Sequence, residues 1–245
     1  MSAGKNEPRK RVAVIVALRE ELRAIEPALG PLGIEIARTG IGRSNAFQKA
    51  GDFLDRVRPV RIDAVIACGF GGGLREGLKA GDVIVAEEIV EAGPPSRSWF
   101  ASPELLAATR ISVERVRLTS GQVAFGRLAT VARVLTTSGD KRRAREELAA
   151  DIVDMESAGV LEAAGTRSIP VLCVRAVIDE HDFELPFDFG KILTPEGRPR
   201  ILKAVGAIAS NPAGLAKILP LRERAQKAAR SLGEIIPELV EALRQ

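Results

Sequence analysis

Histidine, tyrosine and cysteine are nearly missing from this chain, and each shortage closes off a chemistry. His181 is the only histidine, so a zinc site or a Ser-His-Asp triad lacks its parts, and no Cys/His cluster has metal-ligand spacing. Tyrosine is absent and aromatics make up 4% of the residues. The two cysteines, Cys68 and Cys173, both sit in apolar strand-like runs, which reads as buried free thiols in a reducing cytoplasm. No apolar run approaches the ~18 residues of a membrane span. Residues 1–10 are polar and basic, lack the apolar core of a signal peptide, and are expected to be extended or disordered.

What is present is a large apolar fraction, 46% of 245 residues, enough for one sizeable core. The reading is a single domain over 11–245. The charge is uneven. Residues 198–245 carry nine Lys or Arg against four Glu, while the rest of the chain is close to neutral. This basic helical tail is either a solvated helix face or a contact surface for an acidic partner or a membrane.

Buried strands are expected at Arg11–Ala17, Ile62–Cys68 and Val171–Asp179, with shorter ones at Gly33–Arg38, Val83–Glu88, Val113–Leu118 and Val131–Thr137. Helices are expected at Glu20–Leu29, from a Ser44 cap to Asp55, at Lys141–Ala149 and at Glu156–Ala164. Further helices after 198 should break at Asn211-Pro212 and Leu219-Pro220. Residues 92–112, with Trp99 and Phe100, form an excursion whose aromatics suit either local packing or an interface. Alternating strands and helices predict a three-layer α/β/α sandwich around a mixed, mostly parallel sheet.

Three places suggest chemistry. The run Val171–Asp179 is apolar except for Arg175 and the terminal Asp179. A guanidinium in a dry strand needs a carboxylate, and Glu156, at the start of the preceding helix, is the nearest candidate. Asp179 ends a strand where open α/β sheets bind ligands. The alternative is a structural ion pair plus a strand-end cap. Glu20 and Glu21 follow the first strand, as site residues or as first-turn acids complementing the helix dipole. Gly69-Phe70-Gly71-Gly72-Gly73 follows a buried strand, as a ligand cradle or as a plain tight turn. It fits neither the dinucleotide fingerprint nor a Walker loop. His181 and Asp182 read as an exposed loop.

Taken in order, Ala17-Leu18-Arg19-Glu20-Glu21, Gly40-Ile41-Gly42, Gly69-x-Gly71-Gly72-Gly73-Leu74, Gly81-Asp82-Val83, Ser138-Gly139-Asp140, Val153-Asp154-Met155-Glu156 and Arg175-Ala176-Val177-x-Asp179 resemble the nucleoside phosphorylase/nucleosidase superfamily. The pattern is most similar to the 5′-methylthioadenosine/S-adenosylhomocysteine nucleosidases, over about residues 11–182. The resemblance implies hydrolysis of the N-glycosidic bond of a 5′-substituted adenosine, with no metal or organic cofactor. Asp179 would protonate the purine and Glu21 activate water. Glu156 would hold the ribose hydroxyls, Arg175 would fix Glu156, and Met155 would pack on the sugar. Ile41, Gly69, Phe70, Gly71, Val153, Asp154 and Ile178 would complete a nucleoside pocket.

The chain departs from that pattern in three ways. Ala67 and Phe70 stand where phosphorylases of the superfamily carry phosphate-binding Arg and Ser, which argues for water as nucleophile. Lys141-Arg142-Arg143 follows Ser-Gly-Asp where the nucleosidases place a Phe on the base, so Phe183 or a partner-chain residue would be needed. The stretch from Glu184 onward resembles the hopanoid-associated branch, whose substrate is a lipid-linked adenosine. The implied partner is a small nucleoside rather than a nucleic acid, and a homo-oligomer, a dimer in the nucleosidases, is expected. Phosphorolysis, futalosine-type hydrolysis and a nucleoside-binding protein without catalysis are the alternatives.

Overall fold

The computed structural model describes residues 9–185, 187, 194 and 218–245. Eight strands form one sheet: β1 Val12–Val16, β2 Glu35–Arg38, β3 Ala64–Gly73, β4 Val83–Glu91, β5 Arg97–Phe100, β6 Val123–Thr130, β7 Ile152–Asp154 and β8 Val171–Asp179. Parallel pairs join β1 to β2 and β3, β3 to β8, and β6 to β4 and β7. Antiparallel pairs join β7 to β3, and β4 to β5 and β8. The sheet is therefore mixed and mostly parallel, as expected. Its middle also closes on itself, through β3, β8, β4, β6 and β7, so that among the described strands β2 and β5 are the open edges.

Among the described residues six α-helices cover it: α1 Arg19–Leu29, α2 Arg43–Arg56, α3 Pro103–Val113, α4 Ser138–Leu148, α5 Ser157–Gly165 and α6 Ile218–Leu243. Helices α2 and α5 pack on one face through Ala46, Ala50, Phe53, Val160, Leu161 and Ala164. Helices α1, α3 and α6 pack on the other through Ile25, Leu29, Leu105, Leu232, Ile235, Ile236 and Leu239. The buried residues of α6 recur at three- and four-residue steps, which gives one apolar stripe against the sheet. The opposite stripe exposes Arg222, Lys227 and Arg230.

Several elements differ from the sequence reading. The glycine run is no turn: it is the end of β3, which runs ten residues through Gly73. Residues 113–118 and 131–137 are not strands. The strand between them is Val123–Thr130, where Gly126 and Arg127 interrupt the apolar pattern. Val116 and Leu118 still pack on the core from the turn after α3, which explains their strand-like alternation. Helix α2 starts at Arg43, and Ser44 makes no capping bond. Its N-cap is Gly42, with φ of 92°. Pro220 lies in the first turn of α6, where its missing N–H is no loss. The expected break at Asn211-Pro212 lies outside the described residues.

Candidate active site

A cavity of about 280 Å³ opens at the carboxyl ends of β1, β3, β7 and β8. It is lined by Glu21, Ile41, Phe70, Gly71, Val153, Asp154, Met155, Glu156, Ile178 and Asp179, all expected, and by Val131, Val134, Leu135, Leu185 and Leu221, which were not. Gly69 and Arg175 stand behind the wall, each supporting an acid.

Glu21 is 2% exposed. One carboxylate oxygen accepts the N–H groups of Ala17 (2.8 Å) and Leu18 (2.7 Å), and the other accepts that of Phe70 (2.8 Å). These bonds tie the first turn of α1 to β3. Burial pushes the Glu21 pKa up, and the three N–H donors hold it back. Gly69 makes this possible, since a Cβ there would lie 2.6 Å from Glu21 Oε1. The glycine clears space for the acid rather than cradling a ligand itself.

The Arg175 pairing differs from the expectation. Its partner is Asp154, not Glu156: Nε and Nη2 reach Asp154 Oδ2 at 2.9 and 2.7 Å. The remaining donors go to Ser157 Oγ and to the carbonyls of Ala67 and Val174, at 2.8 to 2.9 Å. All three guanidinium nitrogens thereby donate inside the protein, in four hydrogen bonds. Asp154 also accepts from Thr130 Oγ1 (2.7 Å) and from the Ser157 N–H (3.0 Å), capping α5. The physical reason is position: Asp154 ends β7 inside the sheet, while Glu156 has already turned into the cavity.

Glu156 is held from another side. Its Oε1 accepts the Gly42 N–H at 2.8 Å, presented by the Gly40-Ile41-Gly42 turn, and Oε2 accepts the Met155 N–H at 3.2 Å. Burial, then the nearby Asp154 carboxylate, raise its pKa. Met155 lines the cavity beside it.

Asp179 is buried at the end of β8 and paired with Lys141 of α4. Burial raises its pKa and Lys141 pulls it back. The sequence reading treated Lys141 only as a replaced aromatic. Its signal was the spacing Lys141, Ala144, Leu148, which puts a lysine on the apolar face of α4.

Phe183 is not a cavity wall. Its ring lies under Arg224 of α6, 4.2 Å from the guanidinium carbon. Val131, Val134 and Leu135, directly after β6, form that wall instead. His181 does not line the cavity either. Among the described residues no group of His, Cys, Asp and Glu could hold a metal ion, and no helix is long and apolar enough to cross a membrane.

A mixed sheet with helices on both faces and buried acids at its strand ends defines an α/β sandwich of the nucleoside phosphorylase type. The family model of the Phosphorylase superfamily matches residues 12–207, and the chain belongs to that superfamily. A 5′-methylthioadenosine/S-adenosylhomocysteine nucleosidase of an Exiguobacterium species is 25% identical over 202 residues, covering 77% of this chain and 84% of the relative. The enzyme of that name from Actinobacillus succinogenes is 27% identical over 188 residues, covering 72% and 80%. Among solved structures, a nucleosidase of the same name from Colwellia psychrerythraea, in complex with adenine, superposes with a TM-score of 0.72 at 17% identity, covering 96% of both chains. Futalosine hydrolase of Helicobacter pylori follows the fold with a TM-score of 0.64 at 18% identity, covering 93% of this chain and 97% of that one.

Proposed function

We propose that this chain hydrolyses the N-glycosidic bond of a 5′-substituted adenosine and releases adenine. The observation that carries the reading is that Glu21 and Asp179 face one cavity, with Glu156 and Met155 also in its wall. Cleavage passes through an oxocarbenium-like state and needs an acid at the leaving group and a base at the water. Asp179, with its pKa raised by burial, gives its proton to the purine, and the electron pair of the C1′–N bond goes to the base. Glu21 takes a proton from the water whose oxygen bonds to C1′. Glu156 accepts from the ribose hydroxyls, Met155 packs on the sugar, and Arg175 acts through Asp154 to hold the β7 end.

Water is favoured over phosphate because of the charges at hand. The one Arg or Lys among the described lining residues is Arg133, which pairs with Asp140 at 3.0 Å. The nucleosidases named above support the same substrate class. Adenine release from 5′-methylthioadenosine, measured with and without phosphate, tests this. Equal rates are expected, and a phosphate-dependent rate would replace hydrolysis by phosphorolysis.

A second reading keeps the chemistry and lengthens the substrate. Ile218 and Leu219 at the start of α6 are 41% and 62% exposed, two or three residues from Leu221 in the cavity wall. An apolar rim there suits a lipid-linked adenosine of the hopanoid-associated kind, delivered from a membrane to the basic tail. Faster turnover of an adenosine with a long 5′-alkyl chain than of methylthioadenosine would favour it. A homo-oligomer is supported by Phe100, 74% exposed on the edge strand β5, and a cytoplasmic location by the two buried free thiols.

A further inference from the structure

Lys141 is 0% exposed. A lysine without solvent needs three acceptors for its protons and a counter-charge. It has them: Nζ donates to Asp179 Oδ2, to the Glu180 carbonyl at 2.6 Å and to the Phe183 carbonyl at 3.0 Å. All three N–H groups are spent, and Lys141 itself does not line the cavity. Asp179 does line it, and none of the described residues hydrogen-bonds its Oδ1. One oxygen of the carboxyl is gripped from behind while the other is left for a ligand.

We propose that Lys141 is a positioning residue for glycosidic cleavage, aiming Asp179 Oδ1 at the leaving base and setting the pH at which Asp179 can give up its proton. This rests on the nucleosidase reading above. In the step, the proton passes from Oδ1 to a base nitrogen, the C1′–N bond breaks with its electrons going to the base, and Asp179 becomes a carboxylate facing the Lys141 ammonium. A full charge that grows beside a fixed, water-excluded cation is stabilised without any reorganisation of solvent.

Other charges near Asp179 are accounted for. Glu180, the next residue, binds the Ala80 N–H at 3.3 Å and Arg224 Nε of α6 at 2.8 Å. Arg133, in the wall after β6, pairs with Asp140, and Glu21, Asp154 and Glu156 line the same cavity. Among the described residues only Lys141 hydrogen-bonds the Asp179 carboxyl.

The experiment is a kcat–pH profile of adenine release from methylthioadenosine for wild type, Lys141→Met, Lys141→Gln and Lys141→Arg, with carbon NMR titration of the Asp179 carboxyl in each. The ammonium lowers the Asp179 pKa, and activity needs the protonated acid. Removing the charge should therefore move the alkaline limb upward by about one to three pH units. Lys141→Arg should stay near the wild-type limb. The Gln variant keeps N–H donors and similar bulk, so it carries the test where Met fails to fold. Limbs and NMR titrations that overlay wild type in both neutral variants overturn the proposal. A wild type that releases no adenine from any adenosine sinks the nucleosidase reading alone. The NMR titration then still decides whether Lys141 controls Asp179.

Discussion

Strand β8 carries two buried charges four residues apart, and they are used in opposite ways. Arg175 is a cation whose carboxylate comes from β7, and Asp179 is a carboxylate whose cation comes from α4. Around Arg175 each guanidinium nitrogen donates inside the protein, and both Asp154 oxygens are bonded there too. Around Asp179 one oxygen has no hydrogen-bond partner among the described residues. A fully matched pair holds geometry, while a pair with a spare oxygen can exchange a proton. The two sites teach that burial of a charge does not by itself mark a reactive group; the unmatched atom does.

Asp179→Asn should break the comparison most sharply. It removes the transferable proton and is expected to cut kcat for adenine release by about 10²–10⁴, and it leaves the buried Lys141 ammonium without its counter-charge, at a cost of about 3–5 kcal/mol in stability. Folded and fully active protein would strip Asp179 of its role. Arg175→Met is the mirror experiment. It leaves Asp154 buried without its cation and should cost about 3–5 kcal/mol in urea unfolding. A negligible stability change would contradict the matched-network account.

Gly69→Ala comes next. Its Cβ would press on Glu21 at 2.6 Å, so Glu21 must move, and a misplaced base can cost about 100-fold in kcat. Little change in thermal midpoint alongside that loss would separate function from packing, and unchanged kinetics would show that Glu21 tolerates displacement. Thr130→Val removes one bond to Asp154 and should cost about 1–3 kcal/mol.

A further comparison concerns pH. Glu156 has a raised pKa in the folded state, so the fold binds its proton more tightly than the unfolded chain does. Its contribution to stability therefore falls as pH climbs from the ordinary glutamate range near 4.5. Glu156→Gln should flatten that slope and be relatively more stable at alkaline pH, read from chemical denaturation at several pH values. Parallel slopes in the two proteins would remove Glu156 from the raised class.

Much of this arrangement was legible in the chain. Runs such as Val12–Val16 and Val171–Asp179 announced buried strands because no polar alternation interrupts them. That Glu21 and Asp179 line the cavity was readable because each sits at or just past the carboxyl end of a strand, while the place of Glu156 beside them came from the family resemblance. The partner of Arg175 was not, since choosing Asp154 over Glu156 depends on which way a chain turns at the β7–α5 junction. Lys141 was hidden for a different reason. Its neighbours Arg142 and Arg143 are exposed, and only the tertiary contact with β8 tells a buried lysine from a solvated one. Strand β6 was misplaced because its register is set by β4 and β7 rather than by its own composition.

The end of β3 sets a last constraint. At Gly69 a methyl group would strike Glu21, and at Gly71 it would meet Ile152 at 2.8 Å. That stretch works as a mould, defined by side chains it does not have. The residues that look least informative there leave the least room for drift. A library randomised at Gly69 and Gly71 should return fewer functional variants than one randomised at apolar wall positions such as Val134 or Leu135, where another hydrophobe of similar size still fits.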